Sequence, residues 1–161
     1  MKNIIIVTGG AGFIGSNLIK YLLKKTNLKI ISIDNYSTGT TKNHINHKNV
    51  KYIRGENINI SKILKMSKKK IKVIFHFGEF SRIFQSFIRP KECLNSNINN
   101  SFEVINFANE NKIKIIYSAT SSALGNNGKD QNQSPYAWAK TKNIELIKNY
   151  SEWFDLKYEL V

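Results

Sequence analysis

The chain has 161 residues, which suits one domain with a sizeable core, and 41% apolar with 11% aromatic residues argue against intrinsic disorder. Twenty-five basic against eleven acidic residues give +14, a balance that raises nucleic-acid binding. Only Arg54, Arg82 and Arg89 are arginines, however, and the lysine cluster within residues 62–72 has no aromatic residue to stack on a base, so a solvated lysine surface is the simpler reading. The single cysteine, Cys93, excludes an intramolecular disulfide, and the apolar run Ile4-Ile5-Ile6-Val7 is too short for a signal peptide or a membrane span, so a cytoplasmic protein is expected.

Along the chain, β-branched runs at 3–8, 29–34, 50–54, 72–77 and 113–119 read as strands buried on both faces, the mark of a parallel sheet. Helix-like stretches lie between them at 12–25, 61–68, 90–111 and 134–154. Pro90 fits the first turn of its helix, and Leu94, Ile98, Phe102 and Ile105 form an apolar stripe behind it. The alternation predicts an α/β fold with a doubly wound parallel sheet of about six strands and helices on both faces. Residues 157–161 read as the sixth strand, where the sequence stops. Either that strand closes the sheet edge or the chain is one piece of something longer.

Thr8-Gly9-Gly10-Ala11-Gly12-Phe13-Ile14-Gly15 follows the first strand and opens the first helix. In that context Gly9 allows a tight turn, Gly12 lets backbone approach a pyrophosphate, and Gly15 lets the helix pack close on the strand. The second strand ends on Asp34, about 20 residues beyond the glycines, where a carboxylate accepts hydrogen bonds from a ribose and repels a 2′-phosphate. NAD is therefore expected over NADP. The plainer alternative is that Asp34-Asn35 only starts a turn. Asn35, Ser37, Thr38 and Gly39 supply a polar loop at the mouth of this site.

The fifth strand runs into Thr120-Ser121-Ser122, which puts hydroxyls at the carboxyl end of the sheet, where ligands of open α/β folds sit. A Ser/Thr-rich turn is the alternative there. Tyr136 and Lys140 stand at i and i+4 on the last helix, so phenol and ammonium share a face. An ammonium beside a phenol lowers its pKa from about 10 toward neutrality and makes it a usable general base. His44, His47 and His76 have no metal-ligand spacing, and no metal site is expected. His76 reads as a hydrogen-bonded structural residue and Cys93 as packing.

The glycine motif, Asp34-Asn35, the Thr120 region and Tyr136-x-x-x-Lys140 together resemble the extended short-chain dehydrogenase/reductase family. The nearest group within it is the NAD-dependent nucleotide-sugar epimerases and dehydratases, of the UDP-glucose 4-epimerase kind. The resemblance implies an NAD-binding Rossmann domain over residues 1–161, corresponding to only the first part of a family member, without the small C-terminal domain that grips the nucleotide sugar. It implies that the backbone of Phe13 and Ile14 meets the pyrophosphate, that Glu56, Asn57 and Ile58 lie beside the adenine, that Phe77 and Gly78 run along the cofactor, and that Asn97 lies near its nicotinamide side. Thr120, Tyr136 and Lys140 fall on the catalytic positions, with Lys140 also holding the ribose.

Two departures stand out: Glu79 occupies a position where the family has a small residue, and the stretch 125–134 is shorter than usual. The resemblance implies epimerisation through transient oxidation at sugar C4. Alternatives are a non-catalytic NAD-binding fragment or one chain of a split enzyme, and a 4,6-dehydratase. The family places that last enzyme's acid and base where this chain has Ser121 and Ser122. Expected partners are a nucleotide sugar and a second copy of the chain, docked through the 90–111 and 134–154 helices, with neither membrane nor nucleic acid.

Overall fold

The computed structural model describes residues 3–161. Six strands form one sheet: β1 (Ile4–Thr8), β2 (Lys29–Asp34), β3 (Val50–Arg54), β4 (Ile71–His76), β5 (Lys114–Tyr117) and β6 (Tyr158–Leu160). Their order is β3-β2-β1-β4-β5-β6 and every neighbouring pair is parallel. This is the order of dinucleotide-binding folds, in which the chain reverses its direction of travel at β1 and leaves a crevice between β1 and β4. The Rossmann-like doubly wound sheet expected from the sequence is thus the fold.

The two-residue side-chain period of a strand explains how so plain a run as Ile4-Ile5-Ile6-Val7 holds two layers at once. Ile4 and Ile6 join Ile33, Ile74 and Ile115 on one face of the sheet. Helices α5 (Ser101–Glu110) and α6 (Pro135–Phe154) cover that face through Val104, Phe107, Ile144 and Ile147. Ile5, Val7 and Ile30 point the other way and pack on Ile19 and Leu22 of α1 (Phe13–Lys25). No helix among the described residues is long and apolar enough to cross a membrane.

Three expectations need correction. The helix at 61–68 shrinks to one α-turn, α2 (Ile60–Ile63), anchored in the core by the buried Ile60 and the following Leu64, with Ile63 packed beside them. The sequence reading has no counterpart for α3 (Ile83–Ile88), because Ile83, Phe84, Phe87 and Ile88 are exposed and Ser86 is its buried residue. Most informative is the stretch at 90–111. It divides into α4 (Pro90–Leu94), a π-helical segment (Asn95–Asn100) and α5. The residues turned inward are Cys93, Asn97, Asn100, Ser101, Val104, Ile105, Phe107 and Ala108, so that of the expected stripe Ile105 is buried, Leu94 and Ile98 are half-buried and Phe102 is exposed. The wider π-turn rotates the helix so that polar residues face the sheet. Apolar periodicity therefore followed the outer face from Leu94 to Phe102 and met the core at Ile105.

Helix α6 is framed by strong local signals. Ser134 caps it, its hydroxyl accepting the Ala137 N–H at 3.0 Å, Pro135 fills the first turn, and Asp155 ends it in the left-handed region at φ 61°. Because Ser134 is buried, Ser134→Ala leaves the Ala137 N–H without a partner. The expected loss is about 1 kcal/mol of stability, read as a lower urea midpoint at unchanged slope; an unmoved midpoint would contradict the capping role.

Candidate functional site

A cavity of about 500 Å³ opens at the carboxyl ends of the strands. Its floor is the glycine loop. Gly9 sits at φ +71°, and a Cβ there would meet the backbone of Phe77 and Gly78 at 2.7 Å. A side chain on Gly15 would collide with the Gly9 carbonyl, so only glycine lets α1 start this close to β1. Helix α1 begins without a side-chain cap at Gly12 and without an acidic residue in its first turn. Its first N–H groups and the positive end of its dipole are therefore available to an anion, and Gly12, Phe13, Ile14 and Gly15 all line the cavity.

Asp34 ties this loop to the end of β2. Its Oδ2 accepts the Ala11 N–H at 2.9 Å and its Oδ1 the Tyr36 N–H at 2.8 Å. Turn-former and ligand acceptor are compatible roles here, because each carboxylate oxygen has a second lone pair and Asp34 lines the cavity with Asn35, Ser37, Thr38 and Gly39. Across from them the Asn35 amide donates to Glu56 at 3.2 Å, and the buried Asn57 donates to the Gly78 carbonyl at 2.8 Å. Glu56, Asn57, Phe77 and Gly78 belong to the wall. Ile58 does not; the residue is 46% exposed on the outside of that turn.

At the other end of the cavity stand Tyr136 and Lys140, projected from α6. Thr120 is not part of the wall but reaches Tyr136 by a side-chain hydrogen bond that favours the phenolate. The expectation that the ammonium lowers the Tyr136 pKa is corrected by the surroundings: burial, then the Glu79 carboxylate, raise it above 10.0. Lys140 is occupied elsewhere. It forms a buried ion pair with Glu79, donates to the Ser118 carbonyl and lies 4.1 Å from the centre of the Tyr117 ring.

Glu79 is the centre of a buried polar cluster. Its Oε1 accepts from Tyr117 Oη at 2.8 Å, Ser101 Oγ at 2.9 Å and Asn143 Nδ2 at 3.1 Å. Burial opposes its charge, but the Lys140 ammonium first and the Tyr117 hydrogen bond after it hold its pKa below the usual value. Asn97, fully buried, stands behind the wall: its Oδ1 accepts the Phe80 N–H at 2.6 Å, its Nδ2 donates to the Phe80 carbonyl at 2.9 Å, and its own carbonyl accepts from Asn143. It clamps the loop carrying Glu79.

His76 links the two ends. The Thr8 hydroxyl accepts the N–H groups of Phe77 and Gly78, so its proton goes to His76 Nδ1 at 2.6 Å. That leaves His76 Nε2–H to donate to Ser101 Oγ at 2.9 Å, and Ser101 to donate to Glu79. Burial lowers the His76 pKa to about 4 and keeps the ring neutral. Glu79, Tyr117, Ser101 and Asn143 were not among the expected site residues. The available signals were a carboxylate three residues after His76 and an asparagine one turn beyond Lys140 on the same helix face.

Comparison with known proteins follows the same lines. Residues 5–161 match the model of the NAD dependent epimerase/dehydratase family. The chain is 30% identical to a dTDP-D-glucose 4,6-dehydratase of Dictyostelium discoideum, over 94% of this chain and 41% of that protein. It is also 30% identical to an ADP-L-glycero-D-manno-heptose-6-epimerase of Brachyspira hyodysenteriae, over 84% of this chain and 45% of that protein. Among solved structures it is similar to a UDP-N-acetylglucosamine 4-epimerase from Methanobrevibacter ruminantium in complex with UDP-N-acetylmuramic acid, with a TM-score of 0.86 and 29% identity over 99% of this chain and 54% of that one. The chain thus spans about half the length of the relatives it matches.

The neutral buried imidazole fixes a pH dependence. A group whose pKa is near 6.5 unfolded and about 4 folded contributes its full stability above pH 6.5 and loses it as pH falls toward 4. At pH 7 wild type is expected to be more stable than His76→Gln. That gap should narrow by about 3 kcal/mol by pH 4 in urea titrations. A gap independent of pH would overturn the assignment.

Proposed function

Because the chain belongs to the NAD dependent epimerase/dehydratase family, we propose that it forms the cofactor half of a nucleotide-sugar epimerase of the UDP-glucose 4-epimerase type. The observation that carries this reading is one cavity with an uncapped helix N-terminus at one end and the Tyr136 hydroxyl with Lys140 at the other. NAD, when bound, supplies a reversible hydride acceptor for a carbon of the sugar. The first-turn N–H groups of α1 seat the pyrophosphate. Asp34 and Asn35 hold the adenosine ribose, and the Asp34 charge disfavours a 2′-phosphate. Glu56 and Asn57 border the adenine, while Phe77 and Gly78 follow the cofactor along the crevice.

Tyr136 takes and returns the proton of the sugar 4-hydroxyl, with Thr120 hydrogen-bonded to its oxygen to favour the charge that develops there. Lys140, at the cavity wall, holds the ribose on the reacting side. Epimerase is preferred to dehydratase because loss of water from a sugar needs an additional acid and base. The positions after Thr120 hold Ser121 and Ser122, whose hydroxyls do not ionise near pH 7. A homodimer fits the outward apolar residues Leu94, Ile98, Phe102 and Trp138 on the 90–111 and 134–154 helices. The single buried Cys93 suits a reducing cytoplasm.

Two measurements test this. Calorimetry with NAD is expected to give one site per chain, weakened at least about tenfold by Asp34→Ala, with NADP bound poorly by wild type; a folded chain that ignores NAD would refute the reading. In the whole protein with a nucleotide-sugar substrate, Tyr136→Phe is expected to lower kcat by about 100-fold or more. Unchanged turnover would remove Tyr136 from the proton-transfer role.

A further inference from the structure

Lys140 and Glu79 are 3% and 5% exposed at their side chains, and no part of the proposed chemistry so far uses the carboxylate. We propose that Glu79 is the positioning residue for Lys140: its carboxylate draws the ammonium to Ser118 and the Tyr117 ring and offsets its charge at the Tyr136 hydroxyl. In the cofactor-free chain Tyr136, already favoured as the neutral phenol by burial, is held further in its protonated form by this carboxylate. This deepens the reading of Tyr136 and Lys140 as the acid–base pair and rests on it.

The geometry leaves little else to set the charge there. Helix α6 contributes Tyr136, Lys140 and the neutral Asn143; the end of β5 contributes Tyr117, whose pKa burial raises well above 10.0. Ser101 of α5 and Thr120 are neutral hydroxyls. Cys93 of α4 is pushed up by burial to about 11, and His76 of β4 stays neutral down to about pH 4. Arg82, at the cavity mouth, is exposed to solvent. At neutral pH the buried charges around Tyr136 are thus Glu79 and Lys140. Lys140 directs two of its three N–H donors to Glu79 and the Ser118 carbonyl, whereas Glu79 is held rigidly by Tyr117, Ser101 and Asn143 as well. The carboxylate fixes the ammonium, not the reverse.

The test is a pH titration of the cofactor-free chain labelled with ¹³C at tyrosine Cζ, with the Tyr136 signal identified by its loss in Tyr136→Phe. The wild-type signal is expected to stay unmoved up to about pH 10. In Glu79→Gln it should titrate about one pH unit or more lower, since a nearby like charge is removed while the ammonium remains. Glu79→Asp, which keeps the charge, should return the midpoint toward wild type. A purely structural Glu79 predicts the same midpoint in wild type and Glu79→Gln, and that result overturns the proposal. So does a wild-type midpoint below about pH 9, which needs no variant and keeps the proposal open to refutation if Glu79→Gln loses its folded spectrum. Neither NAD nor sugar is in the tube, so failure here is separable from failure to bind NAD or to epimerise.

Discussion

The Thr8 hydroxyl is the contact on which the site depends. It accepts the N–H groups of Phe77 and Gly78 and donates to His76, so one side chain at the end of β1 fixes where β4 stops. The chain after β4 then passes close above Gly9, whose missing side chain makes room for it. Two loops that bound the cavity are held together by backbone groups that would otherwise be buried without partners. Their relative position sets the distance between an anion seat at α1 and the reacting groups on α6.

From Thr8 the polar connection continues inward rather than out to solvent. His76, Ser101 and Glu79 form a directed series of hydrogen bonds that ends on the carboxylate paired with Lys140. Such a pair is a poor way to gain stability, since desolvating two charges offsets most of their attraction, while removing one partner from a buried pair commonly costs about 3–5 kcal/mol. Its value lies in direction. With Glu79 accepting from Tyr117, Ser101 and Asn143 and the loop around it clamped by Asn97, Lys140 has one place to put its ammonium. The π-helical segment at Asn95–Asn100 belongs to the same arrangement, because it turns Asn97, Asn100 and Ser101 toward the sheet.

The sheet was legible because its information is local: β-branched runs give parallel strands, and the spans 29–34 and 50–54 coincide with β2 and β3. The glycine loop and Asp34 were legible for the same reason, as close backbone approach and a strand-end carboxylate leave marks at fixed spacing. Glu79 was visible only as an anomaly, since its partners Tyr117, Lys140 and Asn143 lie 38, 61 and 64 positions away. The π-turn left no hydrophobic signature at all, and the stripe through Leu94 and Ile98 pointed to the outer surface. Ile58 and Asn97 illustrate a related limit: a motif carries a residue to the neighbourhood of a site, but a half-turn decides whether its side chain enters the cavity or turns away.

The net charge of +14 invites a reading in which phosphate is gathered by lysines, and the site is built on the opposite plan. Its wall carries three carboxylates, Asp34, Glu56 and Glu79, against Lys140 and Arg82, and Lys140 is already paired. An anion entering here meets the N–H groups and dipole of α1, not a field of ammonium groups. Backbone donors select by position, because they satisfy a phosphate only where the rest of the ligand also fits, and their strength falls little with salt once the site is enclosed. Surface lysines attract any polyanion and are screened within about 10 Å at 0.1 M salt. The residues that set the chain's overall charge and those that shape its crevice therefore answer to different constraints, and the crevice is arranged for a small ligand held end to end.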